Sequence, residues 1–220
     1  MLAVPAFNNG IFDLTGKAED QCSNIQIANY YLGHGAVGYC DDNDPFLVTG
    51  TMLATDGNYD EKIEDLVRNN ANYLYDGLNF ACVRSWDVLN NVGNCTCAYF
   101  ETDVIPPECP YDIYLDTQLN PREYLICGNN AWLNATVCDD QAKIQGGEYF
   151  IDIVMPPVPA PWSGIWMNPL YNFTKEGLLC SVIGANVDAS QLSEGTHYIN
   201  LRGKDIVENW GKMLQCGQNI

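Results

Sequence analysis

The chain has 220 residues, enough for one or two small domains, and 47% of them are hydrophobic, which is ample for a packed core. Its 28 acidic against 10 basic residues give a formal net charge of −18, which repels nucleic-acid phosphates and anionic membrane surfaces. No apolar run reaches the roughly 20 residues that span a bilayer. We therefore expect neither nucleic acid as a partner nor insertion into a membrane.

The first half of the chain predicts an apolar arm, one strand and two helices. The arm, residues 1–12, is expected either to add a strand to a neighbouring subunit or to form the first strand of its own domain. Residues 46–53 read as a strand. After Asn58, hydrophobic residues at intervals of three and four predict a helix that stops at Gly77, and a second hydrophobic stripe predicts a shorter helix. The first stripe is Ile63, Leu66, Val67, Ala71, Leu74 and Leu78, and the second is Val83, Trp86 and Leu89.

The second half reads mainly as strands, at 111–116, 124–127, 149–155 and 197–201, followed by a helix over 206–214 with Gly217 as its C-terminal cap. No internal repeat aligns. The proline-rich segment 156–161 breaks regular structure and marks a potential sub-boundary. The predicted fold is α+β and β-rich: a single disulfide-rich domain, 1–220, with antiparallel sheets and two or three short helices.

Ten cysteines make an even set with irregular spacing, which is typical of disulfide bonds formed in an oxidising compartment. The one close pair, Cys95 and Cys97, lacks the spacing of a zinc knuckle, so no structural zinc is predicted. The connectivity stays open. The predicted disulfide cysteines are Cys22, Cys40, Cys82, Cys95, Cys97, Cys109, Cys127, Cys138, Cys180 and Cys216.

Three sequons, at Asn94, Asn134 and Asn172, are candidate N-glycosylation sites in a secreted chain. The segment 1–7 lacks the basic start and the length of a signal peptide, so secretion implies that such a peptide has already been removed. The prediction is a secreted, extracellular glycoprotein.

Two further patterns are candidate binding sites. Asp56, Asn58 and Asp60 have the spacing of the first ligands in a calcium loop, although the loop's glycine and its last carboxylate are missing, and a helix cap explains the same residues. Trp162, Trp166 and Tyr171 would suit stacking on sugar rings, with core or interface packing as the alternative. Calcium is the one cofactor considered, and no catalytic residues are assigned.

Familiar catalytic motifs are missing from the sequence, which favours a function other than catalysis. The leading hypothesis is a secreted structural or assembly glycoprotein that forms homo-oligomers or extracellular filaments through β-rich interfaces. The first alternative is a carbohydrate-binding module. The second is a secreted hydrolase that uses paired carboxylates.

Overall fold

The computed structural model describes residues 2–117, 120–121, 130–153, 159–188, 190, 192–195, 197–213 and 218–219. The chain divides into two compact units, Met1–Val104 and Ile105–Ile220. The boundary lies well before the proline-rich segment, of which 156–158 fall outside the described residues. The expectation of a single domain over 1–220 stays a prediction.

Unit 1 is a sandwich of two sheets. One sheet has the order β1-β3-β7-β6 and the other has the order β2-β9-β8-β4-β5. Side chains from both sheets fill a common core that includes Leu14, Leu66, Leu32 and Phe100. The strands are β1 (Leu2–Ala3), β2 (Phe7–Asn8), β3 (Ile11–Glu19), β4 (Ile25–His34), β5 (Val48–Thr51), β6 (Leu53–Ala54), β7 (Ile63–Asn72), β8 (Gly77–Asp87) and β9 (Thr96–Thr102).

Unit 2 has one folded sheet with the order β11-β10-β12-β15-β14-β13-β16-β17. The strand β14 switches partners part-way, because its first residues pair with β13 and its later ones with β15. The two halves enclose a core that includes Leu133, Ile183, Tyr149 and Leu201. The strands are β10 (Tyr111–Thr117), β11 (Asn120–Pro121), β12 (Asn130–Asp139), β13 (Ile144–Ile151), β14 (Ile165–Lys175), β15 (Leu178–Asp188), β16 (Tyr198–Asp205) and β17 (Gln218–Asn219).

The predicted α+β fold is wrong, because the described residues contain no helix. The residues after Asn58 form β7 and part of β8. Glu64 and Leu66 are buried in alternation, as in a strand, and Asn70 has a φ of 53° beside a register shift against β3. Because of that irregularity, the buried residues Leu66 and Ala71 lie five positions apart in the sequence. Together with Val67 and Leu74 they gave a hydrophobic spacing that wrongly predicted a helix.

The other two predicted helices are also strands and turns. Val83 and Trp86 lie within β8. In the segment predicted as the C-terminal helix, the Asp205 carboxylate accepts hydrogen bonds from the backbone N–H of Val207 (2.8 Å) and of Asn209 (2.9 Å). This local bonding closes a tight turn in place of helical bonds. Residues 214–217, which complete that prediction, lie outside the described residues.

The strand predictions were more accurate than the helix predictions. The strand over 111–116 is confirmed as β10. Residues 149–151 belong to β13, 198–201 to β16, and 46–53 contain β5. Residues 124–127 lie outside the described residues. The N-terminal arm forms β1, which pairs with β3, and β2, which pairs with β9, so its strands belong to its own unit.

The two units repeat the same turn, which sequence analysis missed. The Asp87 carboxylate accepts from the N–H of Leu89 and Asn91, as the Asp205 carboxylate does from Val207 and Asn209. The two segments share an aspartate, an asparagine four residues later and a glycine two residues after that, at 87–93 and 205–211. β4 pairs with β8 as β13 pairs with β16. The two units therefore share this turn and an antiparallel pair that includes the strand before it.

Among the described residues, none forms a helix with the length and apolarity that crossing a membrane requires.

Candidate functional site

Disulfide bonds brace both units, as predicted. In unit 2 Cys138 of β12 bonds to Cys180, which lies directly opposite on β15. Unit 1 has two bonds, Cys82–Cys97 and Cys40–Cys95. Each bond closes a long loop of chain and so restricts the unfolded state.

The two bonds of unit 1 lie against each other, with 3.7 Å between the Sγ atoms of Cys95 and Cys97. They pack with Tyr31 and Phe80 in a small separate core. Gly38 lies directly over them, and a Cβ atom there would come within 2.8 Å of the Cys97 sulfur. The Cys95-x-Cys97 spacing therefore places two neighbouring disulfides at the start of β9.

The remaining cysteines divide into three groups. Cys109 is disulfide-bonded. Cys22 is exposed and has no bond to a described cysteine. Cys127 and Cys216 lie outside the described residues.

The three sequons lie in different settings. Asn94 is exposed in the loop before β9. Asn172 is exposed within β14, opposite Ser181. Asn134 is half-buried in the middle of the sheet, between Tyr114 and Gly184, and its sequon partner Thr136 is buried. An attached glycan needs an accessible amide, so Asn94 and Asn172 are the better placed of the three.

The calcium candidates lie in an exposed turn. Carboxylate oxygens of Asp56, Asp60 and Glu61 lie within 4.8 Å of one another. The backbone N–H of Asn58 donates to Asp56, which places this residue in the turn. Asp56 and Asp60 of the predicted set thus lie together with Glu61, and a calcium site at Asp56, Asn58 and Asp60 stays a prediction. No helix follows for Asn58 to cap, because the next element is β7.

Two of the predicted sugar-stacking residues form an aromatic cluster with Trp210. The rings of Trp162 and Trp166 stack, with centroids 5.1 Å apart, and Trp210 meets Trp162 edge-on at 5.2 Å. The Trp162 side chain remains 57% exposed. Tyr171 instead has Phe173 as a ring neighbour, at 6.1 Å.

Two buried cations support this cluster. The Lys204 Nζ atom lies 4.5 Å from the centre of the Trp162 ring, and the Arg202 guanidinium lies 4.9 Å from the centre of Trp210. Arg202 forms a buried ion pair with Glu148 and also donates to the carbonyls of Pro159 and Ala160, at 3.0 and 2.9 Å. The cations and the ion pair thus fix the segment that carries Trp162.

Unit 2 also has an exposed aromatic surface on the sheet half that contains β12. Because Leu133 is fully buried, Trp132 and Asn134 point to the opposite, outer side. A Cβ atom on Gly184 would lie 2.9 Å from the Trp132 ring and 3.0 Å from Leu170, so these two side chains meet above Gly184. We call the exposed set of Tyr114, Trp132, Leu170 and Tyr171 the aromatic face.

The four members of the aromatic face are uncharged, and Asp116 lies opposite Trp132 in the pairing of β10 with β12. Tyr114 lies opposite Asn134, and Tyr171 lies opposite Val182. The sequence signal for this face was the alternation in β10, with Tyr114 opposite in phase to Ile113 and Leu115. Of these four residues, only Tyr171 was predicted from the sequence to belong to a binding surface.

Comparisons with known proteins give little further guidance. No protein-family model matches the chain, and no curated protein matches it. Among solved structures, the fibronectin(III)-like modules of Clostridium thermocellum CbhA align with a TM-score of 0.38 and 11% sequence identity, over 100% of this chain and 91% of that one.

Proposed function

We propose that this chain is an extracellular structural module that associates with copies of itself through the aromatic face of unit 2. The observation that carries the proposal is this exposed aromatic surface, whose four members are uncharged, on a strongly acidic, disulfide-braced chain. Aromatic side chains are enriched at protein interfaces, where they bury large areas at low entropic cost. Because the chain has a formal net charge of −18, contact through uncharged side chains brings together fewer like charges than contact through acidic ones.

The disulfides support the extracellular part of the proposal. Bonds such as Cys138–Cys180 persist in oxidising surroundings and are rare in a reducing cytosol. In small secreted domains such bonds add stability that a limited hydrophobic core does not supply.

Light scattering of the oxidised chain over a concentration series tests self-association. We expect concentration-dependent oligomers for the native sequence, and a dissociation constant raised about tenfold or more by Tyr171→Glu, as for an interface hot spot. Phe46→Glu is the matched control, because Phe46 is an exposed aromatic residue of unit 1. A monomer at all concentrations would refute the proposal.

A second candidate function, glycan binding, is favoured by one observation, the 57% exposed Trp162 in its aromatic cluster. Exposed indole rings stack on the apolar faces of sugars. Titration of tryptophan fluorescence with a panel of soluble polysaccharides tests this candidate, and Trp162→Ala should abolish any change. Unchanged emission across the panel would eliminate it. No observation on the described residues favours the hydrolase alternative, which stays a prediction.

A further inference from the structure

We infer that a cavity in unit 1 seats the first N-acetylglucosamine of a glycan attached to Asn94. This inference rests on the proposed extracellular function, because the glycan is added along the secretory route. The cavity has a volume of about 250 Å³, and Asn94 and its sequon partner Thr96 are both among its lining residues. Binding pockets for drug-sized ligands measure roughly 300–1,000 Å³, so this cavity suits a single sugar ring.

The lining offers the groups that this sugar needs. Leu2 and Val83 supply apolar surface for the N-acetyl methyl group. Glu19 and Ser85 supply a carboxylate and a hydroxyl for the sugar hydroxyls and the amide, and Lys17, whose Nζ atom lies 4.0 Å from Asp65, also lines the cavity. Apolar surface together with a few placed polar groups is the general composition of small-molecule sites.

The cavity lies where both sheets of unit 1 have open edges. β1 pairs with β3 only at Thr15 and Gly16, so in the described structure residues 17–19 have a strand partner on one side alone. β2 pairs with β9 only at Glu101 and Thr102, so in the described structure residues 96–100 also have a strand partner on one side alone. Exposed edges invite pairing with other chains, and a glycan placed between them would block it.

Asn94 differs from the other sequons in the way this role requires. It lies in a loop, whereas Asn134 and Asn172 lie within paired strands. In the transfer reaction, the Asn94 amide nitrogen forms a bond to the anomeric carbon of a lipid-diphosphate oligosaccharide. The bond from that carbon to the diphosphate oxygen breaks, the lipid diphosphate leaves, and the amide loses one proton.

The test is secretion of the chain, behind a cleavable signal peptide, from a eukaryotic host, followed by glycopeptide mass spectrometry. We expect Asn94 to be occupied, Asn94→Gln and Thr96→Ala each to lose that one glycan, and Thr96→Ser to keep it. Asn172→Gln is the matched control. In isotope-labelled protein, the N-acetyl methyl group should show nuclear Overhauser contacts to the methyl groups of Val83 and Leu2.

Three results would overturn the inference. The first is an empty Asn94 in secreted molecules that have a glycan on Asn172, and this result leaves the extracellular proposal standing. The second is an occupied Asn94 without contacts to Val83. The third is free N-acetylglucosamine shifting the Val83 signal in Asn94→Gln protein while Asn94 of the native chain is empty, which would make the cavity a site for a free ligand. Retention of the chain in the cell with reduced cysteines would instead refute the extracellular function.

Discussion

The Ser23 hydroxyl donates a 2.6 Å hydrogen bond to the Asp87 carboxylate, and Ala142 occupies the corresponding position in unit 2. The correspondence follows from the turns: Asp20 accepts from the N–H of Ser23 as Asp139 accepts from that of Ala142. The pKa values of the two turn aspartates diverge. The Ser23 hydrogen bond is the main cause that lowers the pKa of Asp87 to about 2, whereas burial raises the pKa of Asp205.

We predict that Ser23→Ala raises the pKa of Asp87 and destabilises unit 1 above pH 4. A lowered folded-state pKa contributes stability above the unfolded value of 3.8, and this stability is lost as the pH falls through the folded value. Denaturation curves at several pH values, with carbonyl NMR titration of Asp87, check the effect. A native-like titration of Asp87 in the variant would contradict it.

The reciprocal change, Ala142→Ser, offers a hydroxyl donor to the buried Asp205 carboxylate. We expect the pKa of Asp205 to fall. Because the raised pKa costs stability as the pH rises through its folded value, the variant should lose less stability between acid and neutral pH than the native chain. Ala135→Ser is a control at another buried alanine of unit 2. An unchanged pH profile for Ala142→Ser would show that the hydroxyl does not reach Asp205.

The Glu148 and Arg202 pair anchors the tryptophan cluster. Both side chains are almost fully buried, and the Arg202 Nε–H donates to Glu148 at 2.8 Å. Glu148→Gln leaves a buried guanidinium without its counter-charge, so we predict a loss of about 3–5 kcal/mol in the free energy of unfolding. Asp65→Asn, in an exposed 4.0 Å pair with Lys17, is the control and should cost at most about 1 kcal/mol. Equal losses in urea denaturation would contradict the assignment.

The Cys138–Cys180 bond predicts a stability effect of its own. Replacement of both cysteines by alanine should reduce the free energy of unfolding by about 2–5 kcal/mol. Urea denaturation without reductant measures the loss. If a reductant lowers the midpoint of the native chain but leaves that of the double variant unchanged, this bond carries the whole redox effect. A double variant whose midpoint without reductant equals that of the native chain would show that the bond contributes nothing to stability.

His197 predicts a pH response in unit 2. Its ring nitrogens lie 2.8 Å from the Ser193 carbonyl and 2.6 Å from Asp152, and these two hydrogen bonds, in that order, raise its pKa above 6.5. The stability it contributes is complete below 6.5 and is lost as the pH rises through the folded-state value. Asp152→Asn should return the pKa towards 6.5, measured by NMR of the ring protons. An unmoved titration would remove Asp152 from the cause.

Sequence patterns predicted the strands better than the helices. The alternation over 111–116 is a local signal and gave β10, because successive side chains of a strand face opposite sides. The hydrophobic stripe after Asn58 wrongly predicted a helix, because exposed apolar residues such as Ile63 and Leu74 occupied the positions expected of a helix face. A single sequence contains no pairing information for such residues, and tertiary contacts override helix propensity.

The candidate sites were predictable only in part. Cysteine number and spacing predicted disulfides, but the pairing depends on which strands lie opposite, as for Cys82 and Cys97. The proximity of Trp162 and Trp166 in sequence predicted their cluster, whereas Trp210 joins through the distant turn after β16. The aromatic face combines residues from three strands, so no linear motif marks it.

Hydroxyl-radical footprinting of the oxidised chain over a concentration series tests the central claim most directly, because it reports the exposure of each aromatic side chain. The account predicts that labelling of Trp132 and Tyr171 falls as oligomers form, while labelling of the 84% exposed Phe46 stays constant. Oligomers that form with unchanged labelling of Trp132 and Tyr171, or a chain that stays monomeric, would contradict it.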